Sequence, residues 1–219
     1  MSTFPNSPKL IKGGLVIVDA ATARVLRIIS LQYNSDSLTR SLQPQTAGGE
    51  AKDRVEPMRF KGPAVETIKL EADIDATDQL EFPDQNPNAG RFGIQPELAL
   101  LESLVYPTAS QLSAVDSQAG SGTLEIAPML APLVLFIWGK NRIVPVKVSD
   151  LSITEEAFDP ALNPIRAKVS LGLRVMSTDD LGFSTKGGSL FMAYLQTKEQ
   201  LAAQARTASF ATLGIGGIG

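Results

Sequence analysis

The sequence predicts a mainly β protein with flanking helices, an antiparallel α+β fold. Three observations carry that expectation. Between Pro132 and Met176 lie three successive strand patterns separated by turn residues. Two shorter strand pairs precede them, and only two stretches repeat apolar residues at helical spacing.

The central segment is the most informative. Leu133 to Trp138 is a run of large apolar residues without polar alternation, which suits a strand covered on both faces. Gly139, Lys140 and Asn141 break it with turn chemistry. Val144, Val146 and Val148 then alternate with Pro145, Lys147 and Ser149, but past Asp150 the apolar residues are Leu151 and Ile153. The period of two has slipped by one position. A slip inside a continuous strand turns its side chains to the wrong face, so a bulge or sharp bend is predicted near Ser149-Asp150. In the third segment Ile165, Ala167, Val169, Leu171, Leu173 and Val175 form one face, predicted to be core. Arg166, Lys168, Ser170, Gly172, Arg174 and Met176 form the other. At ~3.3 Å per residue this strand extends roughly 35–40 Å.

The remaining elements follow in order. Residues 1–13 read as a flexible, proline-bearing N-terminal arm, 14–208 as a single domain, and 209–219 as a glycine-rich apolar tail. Leu15 to Val18 and Arg24 to Ile29 predict a hairpin around Ala20-Ala21-Thr22, with Leu31 and Tyr33 continuing its second strand. A long loop is expected near 44–53. Arg54 to Phe60 and Val65 to Asp73 predict a second pair across Lys61-Gly62-Pro63. The acidic cluster Asp73, Asp75, Asp78, Glu81 and Asp84 lacks the glycine and terminal glutamate spacing of a calcium loop, so it reads as a solvated loop. Pro96 opens a helix whose Leu98, Leu101, Leu104 and Val105 share a face, and Pro107 ends it. The Ser/Gly/Ala/Gln-rich stretch near 108–124 reads as a second long loop. After a Ser177-Thr178-Asp179-Asp180 turn, a helix is predicted over 189–206, with Leu190, Phe191, Tyr194, Leu195 and Leu201 on its apolar side.

Composition narrows the function. With 219 residues, 43% of them hydrophobic, the chain can bury a sizeable core. A net charge of -3 argues against a nucleic-acid partner. No stretch approaches the ~18 apolar residues of a membrane helix, and the N-terminus lacks a signal-peptide core, so no membrane insertion and no cleavable export signal are expected. The chain contains neither cysteine nor histidine, which removes disulfides, thiolate sites, and the commonest general base and metal ligand. No nucleophile elbow, P-loop or dinucleotide fingerprint is present. Glu155 and Glu156 are adjacent and point to opposite sides of a strand, so they do not act together on one substrate. These readings lead to no enzyme, no cofactor and no metal. One tryptophan and 6% aromatic content also make a poor stacking platform for a glycan- or peptidoglycan-binding module. Trp138, before Gly139, reads as a core or interface anchor. The cationic stripe Arg166, Lys168, Arg174 has three readings: a solvated face, a subunit contact, or a surface facing a polymer or lumen.

The residues also carry a family resemblance. Phe136, Trp138 and Gly139, then Ser152 to Thr154, Phe158-Asp159-Pro160, Asn163-Pro164 and Arg166-Ala167-Lys168-Val169 follow one another in order along the chain. Together with Lys12-Gly13-Gly14-Leu15, Gln32-Tyr33-Asn34 and Leu38-Thr39-Arg40, this pattern resembles the tube-protein family of phage-tail-like contractile injection systems. The likeness covers roughly residues 10–200. It implies a tube-type fold, a small antiparallel β-barrel or sandwich with one or two packed helices. It also implies a structural role as a homohexameric baseplate or tube-initiator ring between the inner tube protein and a VgrG-like trimeric spike. Baseplate wedge or sheath proteins are its further implied partners. Assembly is then cytoplasmic, within a contractile particle that can be released. Many relatives carry a C-terminal LysM domain; the form expected here is the one without it. The interaction residues this reading singles out are Tyr33, Asn34, Arg40, Trp138, Phe158, Asp159, Arg166, Lys168 and Arg174.

Overall fold

A computed structural model describes residues 10–19, 22–46, 59–120 and 131–218. Its strands are β1 (Gly14–Val18), β2 (Val25–Ser30), β3 (Leu38–Thr46), β4 (Phe60–Asp75), β5 (Leu133–Ile137), β6 (Ile143–Phe158) and β7 (Pro164–Val175). They form one antiparallel sheet in the order β2-β1-β5-β6-β7-β4-β3. The helices are α1 (Thr77–Leu80), α2 (Pro87–Phe92), α3 (Gln95–Glu102), α4 (Ala109–Gly120), α5 (Thr178–Leu181) and α6 (Lys186–Ala203), followed by a 3-10 turn at Phe210–Leu213. The mainly β, α+β class is therefore observed.

The sheet curls. Gln32, just past the end of β2, donates its side-chain amide to the Asp75 carbonyl at 2.6 Å and accepts from the Asp75 N–H at 2.8 Å. Asp75 ends β4, and four strands lie between β2 and β4 in the sheet order. A flat sheet at about 4.8 Å per strand would hold them roughly 24 Å apart. Inside the curl lies one apolar core built from Leu15, Ile29, Ile68, Phe136, Val144, Val169 and Leu173, closed by Leu98 and Leu101 of α3 and Phe191 of α6. No ladder joins β2 to β3 among the described residues, so no barrel closure is seen there. On its outer face Val16, Val18, Leu133 and Leu135 form a second cluster against Leu181 and Leu190.

The phase slip in β6 has the predicted cause. Val148 pairs with Leu173 and Asp150 with Gly172, so Ser149 is the extra residue of a bulge. A Cβ on Gly172 would stand 3.1 Å from both the Asp150 Cβ and the Ser149 Oγ, which explains the glycine facing the bulge. Valines 144, 146 and 148 before the bulge and Leu151 and Ile153 after it all pack on the same core.

Four local expectations are corrected. Lys61-Gly62-Pro63 is not a turn: β4 runs straight through it. Gln43 pairs with Val65 but Gln45 with Gly62, so the proline sits in an irregularity of the β3–β4 ladder. β7 pairs with β4 only from Thr67 onward, so no ladder hydrogen bond from the missing proline N–H is needed on that side. Leu31 and Tyr33 do not continue β2; residues 31–37 cross to the far side of the sheet instead. The loop expected near 108–124 contains α4. Thr108 Oγ1 accepts from the Gln111 N–H at 3.3 Å and Gln111 Oε1 accepts from the Thr108 N–H at 2.9 Å, a reciprocal cap that starts the helix. Finally, the acidic stretch is not a plain loop: Asp73 and Asp75 close β4, and Asp78 lies in the short helix α1.

α6 begins earlier than predicted because Thr185 caps it, accepting from the Gly188 N–H at 3.0 Å. The helix spans from β5 to β4, with Leu190 on the outer cluster and Phe191 and Tyr194 on the inner core. Gly187 packs by the Leu133 side chain of β5, while Lys198 reaches Glu66 of β4. At 1.5 Å per residue these positions are roughly 16 Å apart, which matches the three strand steps from β5 to β4. Strand β3 extends to Thr46, and the rest of the predicted 44–53 loop, like most of the N-terminal arm, lies outside the described residues.

Candidate association surface

The residues singled out from the sequence occupy different places. Asn34 is exposed but bonded within the chain: its Oδ1 accepts from the Gly13 N–H at 2.8 Å and its Nδ2 donates to the Ile11 carbonyl at 2.9 Å. It thereby ties the described end of the N-terminal arm to the β2–β3 crossing, while neighbouring Tyr33 is half exposed. Trp138 stacks on Phe136 with ring centroids 5.9 Å apart, and a Cβ on Gly13 would collide with its indole. It is half-buried and packs against the edge of the core.

Phe158, Asp159 and their surroundings form the β6–β7 hairpin tip. The Asp159 carboxylate accepts from the Ala161 N–H, the Asn163 N–H and the Asn163 side-chain amide, each at 2.8 Å. These bonds, the Asn163 side chain foremost, hold its carboxyl below the usual range. The tip contains Leu162 at a φ of 63°, and Ala157 precedes it at 54°, both in the left-handed region that favours glycine. The network outweighs that backbone cost and presents Leu162, 77% exposed, and Phe158, 50% exposed, as a fixed apolar knob.

Each cation of the stripe has a carboxylate partner within the chain. Arg166 meets Asp75 at 2.8 Å, Lys168 meets Glu156 at 3.6 Å and Arg174 meets Asp180 at 2.8 Å. Asp75 is lowered below its ordinary value first by the Thr77 hydroxyl and then by Arg166. Exposed pairs of this kind contribute about 0–1 kcal/mol each. The stripe is a ladder of balanced charges on the outer face of β7.

Arg40 belongs to a cluster that sequence reasoning missed. Its partner Glu66 stands in the inward row of β4 with Ile68, Leu70 and Ala72, and is 4% exposed. Glu66 Oε1 accepts from the Arg40 guanidinium at 2.7 Å and from the Tyr194 hydroxyl at 2.9 Å, and Oε2 accepts from Lys198 at 2.7 Å. Lys198 also lies over the Tyr194 ring, 4.1 Å from its centroid. Burial pushes Glu66 up, but the bonds from Lys198, Arg40 and Tyr194 outweigh it and hold the carboxyl below its ordinary value. Burial and the adjacent carboxylate push the Tyr194 hydroxyl up to about 12. The signal was present: a glutamate in phase with an apolar row, and a Tyr and Lys at i, i+4 on a helix. This knot fastens α6 to β4 and to the edge strand β3.

An apolar groove of about 440 Å³ opens at the end of the sheet, with Leu104, Val105, Val134, Val148, Met176 and Leu181 in its wall. Among the described residues no group of acidic side chains is arranged to hold a metal ion, and no helix is long and apolar enough to cross a membrane. No protein-family model and no curated protein matches this chain.

Proposed function

We propose that the chain is a structural subunit of a contractile, phage-tail-like particle. In this reading six copies form a baseplate or tube-initiator ring that joins the inner tube to a VgrG-like spike. The observation that carries the reading is the sheet's pair of unlike edges. β2 offers Leu26 and Ile28 on an exposed face, whereas the outward row of β3 is Thr39, Ser41 and Gln43. A closed ring uses heterologous contacts, so each subunit must offer two different patches. Edge strands supply them by pairing their backbone groups across the subunit boundary. The ordered motifs from Lys12 to Val169 support the same family.

A second reading, an inner-tube protomer of the same particle, is favoured by the fixed β6–β7 tip. Phe158 and Leu162 project at the end of β7 opposite the groove, as contacts between stacked rings would require. Copy number decides between the two. Quantitative mass spectrometry of purified particles is expected to find about six copies per particle for an adaptor ring. A number that grows with particle length would assign the chain to the tube, and its absence from particles would remove both readings.

A further inference from the structure

Beyond the edge strands, the described residues leave two apolar features uncovered at opposite ends of α6. The first is the groove beside the helix N-terminus, where Thr185 and Gly187 join Leu104, Val134, Val148 and Leu181 in the wall. The second is the tail. Past Arg206 the chain carries no charged residue, and every residue from Gln204 to Ile218 is exposed. Phe210, Leu213, Ile215 and Ile218 face water there, Leu213 at 68% and Ile218 at 83% exposed. An uncharged segment with four free apolar side chains is costly to leave in solvent.

Their placement decides what can bring them together. α6 starts at β5 and is fastened by Lys198 to Glu66 and through Glu66 to Arg40 on β3. The tail therefore leaves from the far end of α6, while the groove lies at its N-terminal end, over the central strands β5 and β6. Two different features at the two ends of one helix form a heterologous pair when they meet between copies, which links copies head to tail and not about a two-fold axis.

We infer that the C-terminal segment Ser209–Ile218 of one copy docks in the apolar groove of the neighbouring copy. The proposal rests on the ring reading for its partner, a second copy of this chain, and adds a contact that edge pairing does not supply. The three glycines at 214, 216 and 217 meet no heavy atom where a Cβ would be, so the segment between Leu213 and Ile218 is thin and unobstructed. A narrow strap with spaced aliphatic side chains suits a groove whose wall is aliphatic.

The chain has no cysteine, so engineered thiols report on it without background. Leu213→Cys and Val105→Cys, both at exposed positions, are prepared as separate full-length proteins, mixed and mildly oxidised. A Gln85→Cys protein, substituted beyond α1 at the other end of the sheet, replaces Val105→Cys in the control. Docking in trans predicts a heterodisulfide between the 213 and 105 thiols in about tenfold excess over the control pair, from the raised effective concentration. Equal yields for the two pairs overturn the proposal. So does a double variant that forms the bond only within single chains, since the tail then folds back on its own groove. Sedimentation of the unsubstituted chain separates the two ideas: ring-sized species without the heterodisulfide remove this contact alone. Monomers without it remove the contact and leave ring assembly to other partners.

Discussion

At the residue scale, Glu66 is, among the described residues, the carboxylate that is both buried and met by two cations at once. It is buried in an apolar row, yet its oxygens are met by Arg40, Tyr194 and Lys198. Glu66→Gln removes the charge and leaves two cations facing a neutral amide, so a loss of about 1–3 kcal/mol in urea denaturation is expected. The pH dependence follows from the sign of the shifts. Because folding lowers the Glu66 carboxyl, its stabilisation is present above the unfolded value of about 4.3 and is lost as pH falls through the lower folded one. Tyr194 acts at the other limit: its contribution is complete below about 10 and disappears as pH rises toward about 12. Denaturation midpoints measured from acid to alkaline pH should show both limbs in the parent protein and a weaker acid limb in Glu66→Gln. Glu66 was legible as a charge out of place in an alternating strand. Its partners were not, because Arg40, Tyr194 and Lys198 meet it only after β3 and α6 have docked.

At the scale of the element, the β6–β7 hairpin shows both how far sequence reasoning reaches and where it stops. The Ser149 bulge was legible because alternation is strict and a slip of one position has only one inexpensive remedy. Gly172→Val should lower stability by about 1 kcal/mol, since a Cβ there stands 3.1 Å from Ser149 Oγ and Asp150 Cβ and the bulge must shift to admit the side chain. Val169→Asp should abolish soluble folding, because position 169 is fully buried and has no partner for a carboxylate; a soluble yield and circular dichroism spectrum like the parent's would contradict its place in the core. Pro63 misled the reading because a Lys-Gly-Pro triplet has turn chemistry. Only the knowledge that β7 stops pairing near Thr67 shows that its missing N–H is harmless. α4 was hidden by a composition without an apolar face, although the Thr108–Gln111 cap was written in the sequence.

At the scale of the whole molecule, the class of the fold was legible and its curvature was not. Curl depends on the Gln32–Asp75 contact between distant strands, which no local pattern announces. The stripe was legible as a row of cations, while the carboxylates that balance it come from three other elements. Arg166→Glu combined with Lys168→Glu should leave the fold intact, because the lost pairs are exposed, and should reduce incorporation into particles if β7's outer face is a subunit contact. Normal incorporation of that double variant would remove the face from the interface. The account's central claim is association within a contractile particle, and the most direct test is to tag the protein in its native cell, sediment the lysate and image the tag by electron microscopy. The account predicts tags on sheathed, rod-shaped particles, confined to one end for a baseplate ring. A tag that stays in the light fraction, with no rods carrying it, would contradict the account.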